Sequence, residues 1–147
     1  MDVATLLRSH VERCLQESMD LCRVNSDCDG DYPFEHESAI YYVSLLEAAG
    51  TWWVRVWSVA ATGVRGTAPL LRELNEVTSS SPLVKAVWRK GAVHVEGVLH
   101  ASGVHEESLG RLCVAVGETA STIGQLVAAV YGGEALSPPS CHDGAHS

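Results

Sequence analysis

The sequence predicts an α+β domain, an antiparallel sheet flanked by helices. Three observations carry this. β-branched and aromatic runs follow one another directly instead of alternating singly with helices. Tight-turn residues such as Lys90-Gly91 separate some of those runs. Amphipathic helical segments open the chain, divide the strands and close it.

The elements follow in order. From Val3 to Met19, Val3, Leu6, Leu7, Val11, Cys14 and Leu15 recur at helical spacing, with Arg8, Glu12, Arg13 and Glu17 opposite. "LCRVN" reads as a short strand, and Asp29-Gly30 as a hairpin signal before "YPFE". "AIYYVSLL" and "TWWVRVWSVA" are the strongest strand candidates, separated by "EAAG". Thr67 is a suitable N-cap with Pro69 in the first turn of a second helix, whose stripe is Leu70, Leu71, Leu74 and Val77. "LVKAVWR" and "AVHVEGVLH" flank the Lys90-Gly91 turn. A last helix repeats apolar residues at Leu109, Leu112, Cys113, Val116, Ala120, Ile123, Val127 and Val130, then stops at Gly132-Gly133. The predicted order is α-β-β-β-(β)-α-β-β-α, the bracket covering the short piece before Asp27. Residues 1–133 form one domain in this reading, and 134–147, Pro-broken and small, a flexible tail.

Composition narrows the function classes. The chain has 147 residues, 46% of them apolar and 19% charged, as a globular domain has. A net charge of −8 with ten scattered Lys and Arg argues against nucleic acid as partner, since duplex binding needs clustered cations. "MDVATLLRSHVERC" lacks the basic and apolar regions of a secretory signal, and the apolar runs are interrupted by Arg, Ser or Gly. Five cysteines without framework spacing are expected as reduced thiols. A cytoplasmic protein without a membrane partner is the expectation.

The central hairpin is apolar on both faces. Along residues 52–59 one face carries Trp52, Val54, Val56 and Ser58, the other Trp53, Arg55, Trp57 and Val59. An antiparallel sheet with one solvated face normally shows a polar set. Either helices cover both faces, or the Trp53/Arg55/Trp57 face receives a second subunit or an extended peptide. Trp and Arg are enriched at interface hot spots.

Candidate chemistry is sparse. Asp27, Asp29 and Asp31 match positions 1, 3 and 5 of an EF-hand loop, but Tyr32 stands where glycine belongs and Ser38 where the bidentate glutamate belongs. An acidic turn is the simpler reading; a calcium or small-molecule sensor using this loop is the alternative. His94-Val95-Glu96 has the HxE pattern of zinc deaminases without the P-C-x-x-C that completes the site. Cys141, His142 and His146 lie in the tail and offer no fixed tetrahedron. No nucleophile elbow, HExxH, P-loop or dinucleotide fingerprint occurs. Cys14 and Cys113 fall on apolar helix stripes, where cysteine usually acts as a small hydrophobe. The expectation is a non-enzyme without cofactor or metal.

Three stretches, "CDGDYPFEHESAIYYVSLLE", "TAPLLRELNEVTSSSPLVKAVWRKGAVHVEGVLH" and "HEESLGRLCVAVGETASTIGQLVAAVYGG", together resemble the YbjN-like group of small bacterial proteins, which share the fold of type III secretion chaperones. The resemblance implies a two-layer α+β homodimer that binds extended segments of client proteins without catalysis. Trp53, Arg55, Trp57 and Trp88 are the candidate partner-binding residues.

Overall fold

A computed structural model describes residues 2–21 and 23–135. Helix α1 spans Val3–Ser18 and is capped by Asp2, whose carboxylate accepts the Thr5 amide at 2.8 Å. Strands β1 (Tyr32–His36), β2 (Ala39–Ala48) and β3 (Thr51–Thr62) follow as a meander. Helix α2 (Ala68–Ser80) leads to the hairpin of β4 (Lys85–Arg89) and β5 (Ala92–His100). A 3-10 turn, Ala101–Gly103, precedes α3 (Glu106–Leu126), which ends in a π-turn at Val127–Tyr131. The strand order is β1-β2-β3-β5-β4, antiparallel throughout, and β6 (Glu134–Ala135) pairs with the end of β3. The expected fold class is therefore the observed one.

The turns are as their residues dictate. Ala49-Gly50 and Lys90-Gly91 both take positive φ at each position, the two-residue geometry that matches strand twist. Gly132, at φ 74°, ends the last helix in the left-handed region. Thr67 caps α2 by accepting the Leu70 amide, and Pro69 lies in its first turn. His105 caps α3, its ring accepting the Ser108 amide while the Ser108 hydroxyl accepts the His105 amide.

The core lies on one side of the sheet. Val54, Val56, Val93 and Val95 are fully buried from the strands, and Leu109, Leu112, Cys113 and Val116 meet them from α3. Leu7, Val11, Cys14 and Leu15 of α1 join the same core. Gly97 permits the closest approach of sheet and helix: a Cβ there would lie 2.5 Å from both Leu112 Cδ1 and the Leu83 carbonyl oxygen. By length and composition α3 with its π-turn, Glu106–Tyr131, could cross a bilayer, yet its apolar stripe is occupied by the sheet. That stripe was expected to include Val130. The π-turn adds a residue to the last turn, shifts the phase, and leaves Val130 exposed.

Other expectations change. Leu21 and residues 23–26 form no strand. The segment follows Asp20, at φ 52°, and Arg23 bonds Asn25 within it at 3.2 Å. Asp29-Gly30 is thus not a hairpin tip but a turn at the entry to β1. The chain past 133 is part of the sheet for two residues, since Glu134 pairs with Thr62. The remainder of the expected tail, with Cys141, His142 and His146, lies outside the described residues. Cys28 is disulfide-bonded, against the expectation of reduced thiols, whereas Cys14 and Cys113 are free and buried.

α1 is tied to the sheet by a polar network. The buried Tyr32 hydroxyl donates to Glu12 at 2.6 Å and accepts from Arg8 at 2.9 Å, and Arg8 also reaches the Gly30 carbonyl. Burial, reinforced by the Glu12 carboxylate, pushes the phenol up to about 12. Tyr32→Phe leaves Glu12 without its donor and is expected to cost about 1–3 kcal/mol, read as a lowered denaturant midpoint. An unchanged midpoint would show that the network does not hold α1 in place.

Candidate functional site

The face of the sheet opposite the core gathers what the central hairpin's alternation suggested. Tyr42, Ser44 and Leu46 of β2 lie opposite Trp57, Arg55 and Trp53 of β3, which in turn lie opposite Glu96, Val98 and His100 of β5. Their partners in sequence, Val43, Val54 and Val56, point into the core. One face is therefore buried by helices, and the other carries partly exposed aromatic side chains.

This outer face is organised by contacts among its own side chains. The Trp57 ring stacks on Tyr42 with centroids 4.6 Å apart, and its indole N–H donates to the Ser44 hydroxyl at 2.8 Å. The Arg55 guanidinium lies 5.1 Å from the Trp57 ring centroid. It also pairs with Glu96, Nε to Oε2 3.2 Å, and Arg89 approaches the other oxygen at 3.7 Å. Trp53 meets His100 edge to face at 5.2 Å. Leu46 and Val98, at 41% and 48% exposure, flank this centre with open apolar surface. Rigid aromatic rings with satisfied polar atoms can receive an apolar segment at little cost in side-chain ordering.

Trp88 does not join Trp53, Arg55 and Trp57. It pairs with Val93 on the core side. Its indole donates to the Val64 carbonyl at 2.8 Å, and its ring fills the space above Gly66, where a Cβ would lie 2.9 Å away. The odd-even register of β4 against β5 places it there, and it holds the 63–67 loop. Tyr42, Leu46 and Val98, by contrast, enter the outer face without having been singled out. The alternation of β2 and β5 contains that signal once the register with β3 is known.

The acidic loop is a capped turn. The Asp27 carboxylate accepts the amides of Asp29 at 2.9 Å and Asp31 at 3.0 Å, closing the turn on itself. Burial, followed by the neighbouring Asp27 and Asp29 charges, raises the Asp31 carboxyl above its usual range, although a hydrogen bond from Ser44 opposes this. Among the described residues no three His, Cys, Asp or Glu side chains come together as a metal site.

The other chemical candidates resolve similarly. Glu96 is engaged by two arginines, and Cys113 lies on the core face, so the HxE residues meet no thiolate there. Burial, then the Arg89 charge, lowers the His94 pKa. The structure does bring His10 and Cys14 together, with Sγ 3.6 Å from Nε2. That nitrogen sits 2.6 Å from the Val104 carbonyl, which demands a proton on it, so it cannot take one from the thiol. Burial and the Glu17 charge raise the Cys14 pKa, the opposite of activation. Cys113 is pushed up to about 12 by burial.

The antiparallel sheet with its helices is a fold shared with known proteins. The family model described as "T3SS (YopN, CesT) and YbjN peptide-binding chaperone 1", TY-Chap1, matches residues 5–139. The chain belongs to this family. Among solved structures, the HopA1–SchA chaperone–effector complex contains a chain of TM-score 0.66 and 9% identity, covering 85% of this chain and 98% of that one. The ExsC–ExsE complex gives TM-score 0.60 at 12% identity, covering 86% and 96%. The Yersinia pestis type III secretion chaperone SycH, in complex with a fragment of YscM2, gives 0.58 at 13%, covering 79% and 98%. At these identities the TY-Chap1 chain shares a fold with them and no more is implied. Comparison with curated proteins returned no match.

Proposed function

We propose that this TY-Chap1 protein is a non-enzymatic chaperone or regulator that binds an extended segment of a partner protein across the outer sheet face. Trp53, Arg55 and Trp57 form the centre of that site. The observation that carries the reading is the one-sided burial of the sheet. Helices cover Val54 and Val56, while the stacked Trp57–Tyr42 pair and its Arg55 cap stay partly exposed beside open Leu46 and Val98. An apolar side chain from a partner would desolvate this centre, and Arg55 and Arg89 would orient its polar groups. Membership of a peptide-binding chaperone family supports the same reading. So do the structural neighbours, which were solved as chaperone–effector or chaperone–fragment complexes. A homodimer is part of the proposal.

Light scattering over a dilution series, for the wild type and Trp57→Asp, tests the assignment of the face. The expected result is a dimer in both cases, with the mutant failing to bind peptides that the wild type retains. A folded, monomeric Trp57→Asp would instead make this face the subunit contact and remove it as the client site.

A further inference from the structure

A second surface, on the helical side of the molecule, carries a different chemistry. The C-terminal turn of α1, the N-terminal half of α3 and the loop before β4 enclose an open cleft of about 700 Å³. Its apolar lining includes Leu83, 43% exposed, and Val114, 50% exposed, with Ala115 beside them. Glu17, Glu106 and Glu118 stand at its edges. A smaller extension of about 280 Å³ shares Glu17 and Glu106 and reaches His10 and Arg13.

The charges here are not balanced by the fold. Glu107 is paired with Arg111 one helical turn on. Glu17, Glu106 and Glu118 form no ion pair among the described residues, and Arg13 is the one further cation lining the cleft and its extension. Glu17 and Glu106 both line the cleft and its extension, and hydrogen bonding with Glu17, then its charge, raises the Glu106 carboxyl pKa. Two carboxylates in hydrogen-bonding contact repel unless a proton or a cation lies between them. The Ser18 hydroxyl at the cleft wall has a buried oxygen with no hydrogen-bond partner among the described residues.

We infer that this cleft docks an extended segment of a partner protein in which apolar residues alternate with lysine or arginine. Apolar side chains would cover Leu83, Val114 and Ala115, and the cations would fall beside Glu17, Glu106 and Glu118. Charge complementarity decides the occupant. Residues 136–147 contain no Lys or Arg, so that segment does not supply the cations. The inference takes from the chaperone reading only that a polypeptide is the ligand. It concerns a surface separate from the Trp53/Arg55/Trp57 face, which lies across the sheet.

The test is fluorescence anisotropy with a short labelled peptide alternating leucine and lysine, and its counterpart with glutamate for lysine. Glu17→Gln/Glu106→Gln/Glu118→Gln is compared with wild type and with Glu73→Gln/Glu76→Gln, two exposed positions of α2 outside the cleft. The leucine–lysine peptide is expected to bind the wild type, and the cleft variant about 10-fold or more weakly, with the affinity falling in added salt. The α2 variant should stay within about twofold of wild type, well under the tenfold step of 1.4 kcal/mol. Absence of binding, equal binding of the glutamate peptide, or equal losses in the cleft and α2 variants would overturn the inference. Loss confined to Trp53→Ala/Trp57→Ala would also overturn it, while supporting the sheet-face site.

Discussion

Replacing Trp53 and Trp57 together by alanine is expected to weaken binding of client segments by about 100-fold or more, because buried tryptophans at interface centres each contribute about 2 kcal/mol or more on truncation. The structure explains why these two positions dominate. Trp57 is fixed by the Tyr42 ring, the Ser44 hydroxyl and the Arg55 guanidinium, so it presents a preorganised surface. Trp53 extends that surface towards Leu46 and His100. Both side chains lie outside the core, and the melting midpoint should fall by only a few degrees, a shift of about 2–4 °C per kcal/mol being usual at this size. The measurement is retention on a peptide array, followed by anisotropy with the best retained sequence. Wild-type affinity in a folded double variant would remove the outer face from the function. Trp88→Phe serves as the contrast. It should lower stability through loss of the Val64 bond and leave peptide affinity unchanged.

Gly97→Val is expected to be among the most destabilising single changes in the chain. Any Cβ at this position meets Leu112 Cδ1 and the Leu83 carbonyl at 2.5 Å. The leucine end can rotate, but the carbonyl belongs to the backbone entering β4 and can move only by displacing the strand. Overpacking of this kind costs about 1–3 kcal/mol, and the backbone contact puts Gly97→Val at the upper end or beyond. Thermal denaturation should show the midpoint lowered by about 10 °C. Gly97→Ala should show a smaller loss with the same sign. A wild-type midpoint for the valine variant would mean that α3 does not press on β5 at this point. The same change would shift the loop carrying Leu83 and so disturb the cleft beside α3, while leaving Trp53 and Trp57 in register with Tyr42 and Leu46.

Much of this was legible locally. Thr67 and Pro69 mark the start of α2, Lys90-Gly91 the β4–β5 hairpin and Gly132 the stop of the last helix, because caps and tight turns depend on residues a few positions apart. The two-faced hairpin was legible for the same reason, since alternation alone separates Trp53, Arg55 and Trp57 from Val54 and Val56. "LCRVN" misled because a strand exists only where a neighbour supplies a ladder, and nothing in five residues reveals whether one will.

Sequence by itself determined the α+β class, the order of the main elements, the acidic character of the chain and the two sets of side chains on β3. Those properties arise from composition, short-range sterics and periodicity. Only the tertiary structure decided which of the two sets is covered, that Trp88 turns to the core to hold the Val64 loop, and that Glu17 and Glu106 come to line one cleft. The physical reason is that burial and charge proximity are set by register and by helix placement. These depend on contacts between residues far apart in the chain, such as Gly97 with Leu112 and Arg55 with Glu96.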